Sequence, residues 1–377
     1  MLSRAILTTS TTICAVLATT AQAQRSVALH GTVDTGIAYI RHSAGQHSQW
    51  KMSPGTLSSN EWGLQGTEEL VGGLAAHFAV ENSFDIGHGQ SISSGQMFGS
   101  KAFVGLSHER WGAVTFGRQS DPVAELLQPL TAGSYSGVFV TPGDVDSCGG
   151  SATFNHAVKW TSPNWSGVTV EAMYAFGAIA GAPGSGQAYS GALVYAGGPL
   201  SLGTGFLHID NGNAARSMRG VSSPDSLFNT SVNSAYARAR SVGIFRAGGQ
   251  YVFGLVTVGA AFSFSQYNPD ASSGFSKVQK YGNGSVFALW QGATSLQALV
   301  GYNYTRSSGA SSAAYQQVNV GVDYLLSKRT DVYSMLGYQH ACGQNGLGPA
   351  QAVIGSYNVE AGANSQLLAI VGVRHRF

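Results

Sequence analysis

Charged residues are scarce in this chain. Asp, Glu, Lys and Arg together make up 10% of its 377 residues, against roughly 25% in ordinary soluble domains. A soluble globule needs more surface charge than this to stay dispersed. The charges are also nearly balanced, with 20 basic and 18 acidic residues. Nucleic-acid-binding proteins usually show a clustered excess of Lys and Arg, so the composition argues against a nucleic-acid partner.

Long apolar runs and catalytic motifs are absent as well. No stretch approaches the ~20 apolar residues of a transmembrane helix, although 44% of the residues are hydrophobic. The motifs G-x-x-x-x-G-K, G-x-S-x-G, H-E-x-x-H and C-x-x-C do not occur. A match to S-x-x-K at 48–51 lacks its companion motifs, and the histidines are scattered singly. We therefore predict no enzyme, no cofactor and no metal site.

Residues 1–23 have the features of a secretory signal peptide. Arg4 precedes a modestly apolar run at 5–18, and Ala-Gln-Ala at 21–23 is a small-residue cleavage signal. We expect cleavage after the last of these three residues. The remaining residues, 24–377, show no internal boundary and are predicted to form one domain.

Cysteine is rare, with three residues in the whole chain. Cys14 lies in the signal peptide, so Cys148 and Cys342 remain after export. An oxidising compartment permits a disulfide between them. Two separate unpaired thiols are equally compatible with the sequence, because spacing alone does not place the sulfurs within bonding distance.

Alternating apolar and polar residues fill the rest of the chain. Stretches in which every second residue is apolar recur with turn residues between them, as at 296–304 and 318–326. We count about sixteen such segments of near ten residues, the length of a tilted strand that crosses a membrane. With 51 glycines and 10% aromatic residues, this pattern is typical of a transmembrane β-barrel. The facing of two weaker segments, 188–195 and 200–209, stays open.

The connections between the segments alternate in length. The short ones carry turn residues and are 107–111, 163–167, 197–199, 292–294 and 327–330. The long ones are rich in Gly, Ser and Asn and are 41–58, 177–188, 210–240, 268–280, 307–314 and 341–364. Short turns at one end and long loops at the other are the layout of outer-membrane barrels. The last apolar strand, 365–377, is expected to pair with the first strand and leave no open edge.

The connection at 117–155 is too long for a hairpin link. Asp121 is placed as a helix N-cap, Pro122 as the first helical residue and Glu125 in the first turn. The apolar residues of this connection are Leu126, Leu127, Leu130, Val138 and Phe139. A loop that projects outward offers them only water, whereas the inner wall of a barrel buries them. We therefore expect this loop to fold inward and narrow the lumen.

Seven blocks of sequence, in order along almost the whole of 24–377, resemble a known family. They are SVALHGTVDTG at 26–36, WGLQGTEEL at 62–70, KAFVGLS at 101–107, GAVTFGRQ at 112–119, VKWTSPN at 158–164, LSKRTDVY at 326–333 and VGVRHRF at 371–377. The chain resembles the trimeric general porins of Gram-negative outer membranes, of the neisserial and betaproteobacterial branch. The resemblance implies an all-β fold, a sixteen-stranded antiparallel transmembrane β-barrel with an inward-folded third loop, and a homotrimer. It also implies that the C-terminal Phe377 is read by the barrel-assembly machinery and that the protein meets lipopolysaccharide.

In such porins, basic side chains on the barrel wall face acidic side chains of the inward loop across the constriction. Mapped onto this chain, the resemblance assigns Glu61, Gln65, Glu81, Lys101 and Arg118 to the wall, and Asp121, Asp144 and Asp146 to the loop. Family members commonly carry a basic residue at the positions of Glu61 and Gln65. We therefore expect a weaker anion preference than in the basic-walled members, or a mild cation preference.

Strict alternation places Arg118 on the same side of its strand as Val114 and Phe116, toward lipid. An arginine that faces lipid near the middle of the bilayer costs about 2–4 kcal/mol. We therefore expect a bulge or a strand end at Gly117 that turns Arg118 into the pore. The alternative is a position at the rim, where the cost nearly vanishes.

These features together predict an outer-membrane porin, a water-filled channel for the passive diffusion of small hydrophilic solutes and ions. Two alternatives stay open. One is a surface adhesin or receptor that acts through its long loops, 210–240 especially, with Arg216, Arg219, Arg238 and Arg240. The other is an outer-membrane barrel enzyme with a catalytic constellation at its rim, for which the sequence contains no motif.

Overall fold

The computed structural model describes residues 25–93, 95–182, 184–210, 227–355 and 359–377. The predicted signal peptide at 1–23, together with Arg216 and Arg219 of the 210–240 loop, lies outside these ranges. The strands are β1 (Arg25–Ser43), β2 (Gln46–Pro54), β3 (Glu61–Glu69), β4 (Leu74–Asp85), β5 (Gln90–Ser91), β6 (Lys101–His108), β7 (Gly112–Ser120), β8 (Thr153–Thr161), β9 (Val168–Ala175), β10 (Ala188–Gly197), β11 (Leu200–Asp210), β12 (Ser241–Phe253), β13 (Val256–Asn268), β14 (Gln279–Ala293), β15 (Leu296–Ser308), β16 (Ala313–Leu325), β17 (Thr330–Gly343) and β18 (Ser365–Arg376). The helices are α1 (Pro122–Leu127) and single 3-10 turns at Val71–Gly73, Gln128–Leu130, Ala132–Ser134, Gly137–Phe139, Pro142–Asp144 and Ser234–Tyr236.

The strands form a closed antiparallel barrel with sixteen strand positions in the described part of the chain. Both β2 and β3 pair with β1, so they share one position, and residues 55–60 leave the sheet between them. The two-residue β5 pairs only with the end of β4 and is not one of the wall strands. The last strand, β18, pairs with β1 from Thr32↔Arg376 to Arg41↔Leu367. This pairing confirms the predicted closure and leaves the wall without an open edge.

The barrel strands alternate between an apolar outer face and a polar inner face. On β15, Val300, Tyr302 and Tyr304 are 48%, 40% and 37% exposed, while Asn303 and Thr305 between them are 3% and 0% exposed. Strand side chains point to opposite faces with period two, so lipid contacts the first set and the interior holds the second. Within the ranges that the structure describes, no helix is both long and apolar enough to cross a membrane.

The third long loop folds into the barrel, as predicted from its apolar residues, which an outward loop would leave in water. This segment, residues 121–152, connects β7 to β8 and is called the inward loop here. Leu127 and Val138 are each 1% exposed and Phe139 is 5% exposed. Leu126 is partly buried and packs on the cluster that contains Leu127. Burial of each large apolar side chain contributes about 1.5–3 kcal/mol, which is enough to hold the loop against the wall.

Glycines on the inner wall make room for the inward loop. A Cβ at Gly301 of β15 would stand 2.8 Å from Cδ1 of Phe139. A Cβ at Gly203 of β11 would stand 2.8 Å from Cδ1 of Leu130. Real Cβ atoms do not approach other atoms this closely, so side chains at these two positions would push the loop toward the lumen.

Two other loops fold over the inward loop at the mouth of the barrel. Gly143 of the inward loop donates its backbone N–H to the carbonyl of Gly355, at 3.1 Å. From the loop after β11, Leu227, Val232 and Tyr236 are 2% exposed or less. The described part of that loop therefore packs inside the mouth instead of projecting as a receptor surface, although Arg238 and Arg240 are exposed.

Two predicted long connections are wrong. Residues 41–58 form a hairpin, in which β1 runs to Ser43 and β2 begins at Gln46. Ala44 and Gly45 make the turn with positive φ angles of 49° and 77°. Residues 46–49 are polar on both faces of β2, so that only Trp50 and Met52 mark the strand period. The connection between β15 and β16 spans only 309–312.

Cys148 is buried, Cys342 is exposed, and both are free thiols.

Candidate functional site

A cavity of about 490 Å³ separates one side of the barrel wall from the inward loop. Strands β3, β4, β6 and β7 supply the wall side, and α1 with the return segment of the loop supplies the other side. Its charged lining residues are Glu61, Glu81, Lys101 and Arg118 on the wall and Glu125 on the loop. The volume falls in the range that accommodates a small solute.

Glu81 and Lys101 form an ion pair across two neighbouring strands. They are direct register partners on β4 and β6. The Lys101 Nζ is 3.0 Å from Oε2 and 3.1 Å from Oε1 of Glu81. Glu81 is 6% exposed, and Nε2 of His30 lies 3.7 Å from its Oε1. The lysine therefore neutralises the carboxylate while its own side chain remains 41% exposed to the cavity.

Glu61 is different, because no cation binds it. It opens β3 and stands opposite Ser83 of β4 and Thr32 of β1. Within the described residues the side chain of Glu61 makes no hydrogen bond or ion pair. Its carboxylate is therefore the one on the wall of the cavity that has no direct partner, and Lys101 and His30 act on its charge only from a distance.

Arg118 reaches the cavity through the predicted bulge. The pairing of β7 with β8 shifts between Gly117 and Gln119, so that Asn155 and His156 oppose the single residue Arg118. Gly117 has a φ of 138°, a value that glycine adopts easily. Arg118 is 8% exposed; its Nε donates to the carbonyl of Gly99 at 2.7 Å, and its Nη1 donates to Oδ1 of Asn155 at 2.7 Å. The bulge at Gly117 is confirmed.

The short helix α1 presents Glu125 to the lumen. Asp121 caps the helix, since its Oδ1 accepts from the N–H of Val123 at 2.8 Å and of Ala124 at 3.2 Å. Val123 and Leu127, four residues apart, face the wall and are each 1% exposed. Residues four apart share one face of a helix, so Glu125 points away from the wall. Its Oε2 forms an ion pair with the buried Lys159 of β8, and Glu125 remains 46% exposed.

The three loop acids that the resemblance assigns to the constriction lie elsewhere. Asp121, Asp144 and Asp146 are 0%, 3% and 1% exposed, and none of them lines the cavity. Asp146 binds Arg246 of β12, with Nη2 to Oδ2 at 2.5 Å. The structure therefore does not bring these acids to the lumen and places Glu125 there instead. A buried carboxylate must be hydrogen-bonded or paired, and all three serve the folding of the loop.

Asp144 holds the tip of the inward loop together. Its Oδ1 accepts from the N–H of Gly149 at 2.7 Å, and its Oδ2 accepts from the N–H of Ser151 at 3.1 Å. Burial, together with the charge of Asp146, raises the pKa of Asp144 to about 6. Burial alone would also raise the pKa of Asp146, but the charge of Arg246 and the hydrogen bonds from Ser263, Arg246 and Thr141 together hold that pKa below its ordinary value.

Gln65 lies on the inner face of β3, four residues along the strand from Glu61. Its register partners are Ala28 and Ala79. It is exposed but does not line the cavity. Glu125 was not predicted from the sequence as a lumen residue, although the four-residue spacing of Val123 and Leu127 indicates that it lies on the other face of α1. The described residues contain no group of His, Cys, Asp or Glu that could hold a metal ion.

Comparisons with known proteins agree with this geometry. A family model described as Gram-negative porin matches residues 9–344. The chain is 27% identical to an outer membrane porin protein of Bordetella pertussis, over 84% of this chain and 90% of that protein. It is 28% identical to outer membrane porin protein 32 of Delftia acidovorans, over 95% of each chain.

Solved structures show the same fold. An anion-selective porin from Comamonas acidovorans superposes with a TM-score of 0.71 at 23% identity, over 94% of this chain and 100% of that chain. The trimer form of an outer membrane protein of Vibrio cholerae superposes with a TM-score of 0.66 at 16% identity, over 94% and 99%. With a lipid-facing apolar jacket, a polar interior and an inward loop beside an open cavity, the chain belongs to the Gram-negative porin family and forms a passive diffusion channel through the outer membrane.

Proposed function

We propose that the cavity between the wall and α1 is the constriction of the channel, and that Glu61 gives it a mild preference for cations. The observation that carries the proposal is the unpaired carboxylate of Glu61. Three carboxylates and two cationic groups line the cavity. Lys101 neutralises Glu81, and Lys159 neutralises Glu125 from beneath.

The cations of the cavity are less available than its acids. Arg118 is largely buried and donates to Gly99 and Asn155, and Lys101 is held by Glu81. Glu61 alone presents a net charge to passing ions. Salt screens a fixed charge over about 10 Å at 0.1 M ionic strength. The preference should therefore be modest and strongest at low salt.

Reversal potentials across a planar bilayer in a KCl gradient test this proposal. The unchanged chain should prefer potassium weakly, Glu61→Gln should be close to unselective, and Glu61→Lys should prefer chloride. Glu109→Gln, which removes an exposed acid from the turn after β6, serves as the matched control and should match the unchanged chain. Clear anion selectivity of the unchanged chain would refute the assignment of Glu61.

We further propose that the channel is a homotrimer that contacts its neighbours around β1 and β18. The outward side chains there are aliphatic: Val27, Leu29, Ile37 and Val371 are 60% exposed or more. The outward faces of β9 to β17 instead carry most of the exposed Tyr, Phe and Trp, the residues that favour lipid interfaces. Unboiled protein should migrate in SDS as one species of about three chains. Ile37→Arg should release folded monomers, whereas Val318→Arg on the aromatic side should not.

The two ends of the chain support a proposal about assembly. Phe377 pairs with Gly31 of β1 through two backbone hydrogen bonds of 3.0 and 3.3 Å. We propose that the barrel-assembly machinery reads this residue, and that a leader at 1–23 is removed after Ala23. Deletion of Phe377 should lower the amount of folded protein in the outer membrane, and the N-terminal sequence of the mature protein should begin at Gln24. Transport is passive, and no catalytic step is proposed.

A further inference from the structure

The two ion pairs of the cavity present opposite charges to the lumen. In the pair of Glu81 with Lys101, the carboxylate side chain is 8% exposed and the lysine side chain is 41% exposed. In the pair of Glu125 with Lys159, the lysine side chain is 7% exposed and the carboxylate side chain is 46% exposed. Each pair is neutral from a distance. A solute in contact with the lining, however, meets the ammonium of the first pair and the carboxylate of the second.

Glu61 adds a third accessible charge. Its carboxylate lines the cavity and has no direct partner among the described residues. Glu61 begins β3 and Lys101 begins β6, and β4 pairs with both of these strands. Neighbouring strands are about 4.8 Å apart, so the backbones at this anion and this cation are on the order of 10 Å apart. Arg118 lies on the cationic side, since its register partner Ala102 follows Lys101, but it is 8% exposed.

Two exposed carboxylates and one exposed ammonium therefore line the same space. A solute that matches all three carries two cationic groups and one carboxylate, which is the charge pattern of an α-amino acid with a cationic side chain. Its carboxylate and α-ammonium are attached to the same carbon atom. With one charge-assisted hydrogen bond of about 2.8 Å at each end, these two groups bridge Glu61 and Lys101, whose side chains converge because the inner face of a barrel is concave.

The rest of the lining favours a hydrophilic solute of this size. Five serines, Gln128 and Thr153 supply hydroxyl and amide groups. Among the described residues of the lining, the ones with aliphatic side chains are Ile92 and Ala124, so an apolar amino acid meets little apolar surface. The volume of about 490 Å³ lies within the range of small-molecule sites.

We propose that the cavity binds α-amino acids with a cationic side chain, such as lysine, during their passage. Lys101 binds the carboxylate, Glu61 binds the α-ammonium, and Glu125 on α1 binds the cation of the side chain. The site rests on the proposed function, in which this cavity is the constriction. Binding is weak enough for release, because each contact replaces water at a partly exposed group.

Block of the single-channel current by three related solutes tests the proposal. Lysine is compared with norleucine, which lacks the distal ammonium, and with cadaverine, which lacks the carboxylate. Lysine should halve the current at a concentration about 10-fold lower than either analogue, the loss expected for one charge-assisted contact. Equal half-blocking concentrations for the three solutes would overturn the proposal.

Two double variants, each of which removes one acid and one base, assign the outer contacts. Glu125→Gln with Lys159→Met should lose the preference for lysine over norleucine and keep the preference for lysine over cadaverine. Glu81→Gln with Lys101→Met should show the reverse pattern. Unboiled gel migration reports whether each variant is folded. A folded double variant that keeps the preference it is expected to lose would overturn the proposal.

Glu61→Gln tests the third contact and separates this site from the proposed cation preference. It should raise the half-blocking concentration of all three solutes about 10-fold, and block equal to that of the unchanged chain would overturn the proposal. Glu109→Gln removes an exposed acid outside the cavity and should match the unchanged chain. Reversal potentials in KCl without added solute report the cation preference alone. If Glu61→Gln leaves them unchanged, that preference fails, while the comparison of the three solutes in the unchanged chain still decides the amino-acid site.

Discussion

Replacement of Arg246 by methionine is expected to loosen the inward loop while the barrel stays folded. Arg246 and Asp146 are 2% and 1% exposed in their ion pair. In the variant, the Asp146 carboxylate keeps only neutral partners: the hydroxyls of Ser263 and Thr141 and the N–H of Cys148. Removal of one member of a buried ion pair costs about 3–5 kcal/mol, because the other charge stays buried without its partner.

The apolar contacts of the loop set the extent of the change. Val123, Leu127, Leu130, Val138 and Phe139 are each 5% exposed or less. At about 1.5–3 kcal/mol for each buried side chain, their burial contributes on the order of 10 kcal/mol. The lost ion pair is smaller than this sum. The variant should therefore release the segment around Asp146 and keep α1 docked on the wall.

Single-channel recording and unboiled gel migration measure the two consequences. Arg246→Met should show larger current fluctuations, and its folded band should disappear at a temperature several degrees lower. Asp146→Asn with Arg246→Met removes both charges and should recover most of the stability, since paired removal leaves no uncompensated charge. If Arg246→Met alone matches the unchanged protein in both measurements, the ion pair does not hold the loop.

Three further changes probe other contacts of the site. Burial and the charge of Asp146 raise the pKa of Asp144 from 3.8 to about 6. The stability that this group contributes is therefore complete below pH ~4 and is lost as the pH rises through ~6. In urea unfolding, the unchanged protein should lose about 3 kcal/mol of stability between pH 4 and 8, and Asp144→Asn should not. Gly117→Ala would place a Cβ 2.2 Å from the carbonyl of Ala102 at a φ of 138° and should destabilise the bulge by about 1–3 kcal/mol; conductance and stability equal to the unchanged chain would contradict a role of the bulge in placing Arg118. Gly301→Leu should displace Phe139 and push the inward loop toward the cavity. Single-channel recording should then show a smaller current. An unchanged current would mean that the loop can move in another direction.

The barrel could be predicted because its cause is local. A strand with lipid outside and water inside must alternate, and the period-two pattern of β15 and β16 is visible in the sequence alone. The hairpin of β1 and β2 escaped prediction for the complementary reason. It continues past the apolar part of the wall, where alternation is no longer enforced.

The site was harder to predict, because it depends on contacts between distant segments. The bulge beside Arg118 requires one extra residue on β8. That residue is His156, and nothing in the sequence pattern identifies it as the bulged position. The partner of Asp146 is one arginine of β12, 100 positions along the chain. Only the tertiary fold shows that this acid meets Arg246 and not the lumen.

The inward loop has a wall side and a lumen side, and a carboxylate is stabilised differently on each. On the wall side, Asp146 is stable only because Arg246 and neighbouring hydroxyls replace water. On the lumen side, Glu125 keeps 46% of its side chain exposed, and its charge balances that of Lys159. Glu125→Gln leaves Lys159 without its carboxylate partner, so the reversal potential should move toward anions. The double variant at Asp146 and Arg246 removes one charge of each sign from the wall side and should leave the reversal potential unchanged. A larger shift in the double variant than in Glu125→Gln would mean that the wall side, not the lumen side, sets the selectivity.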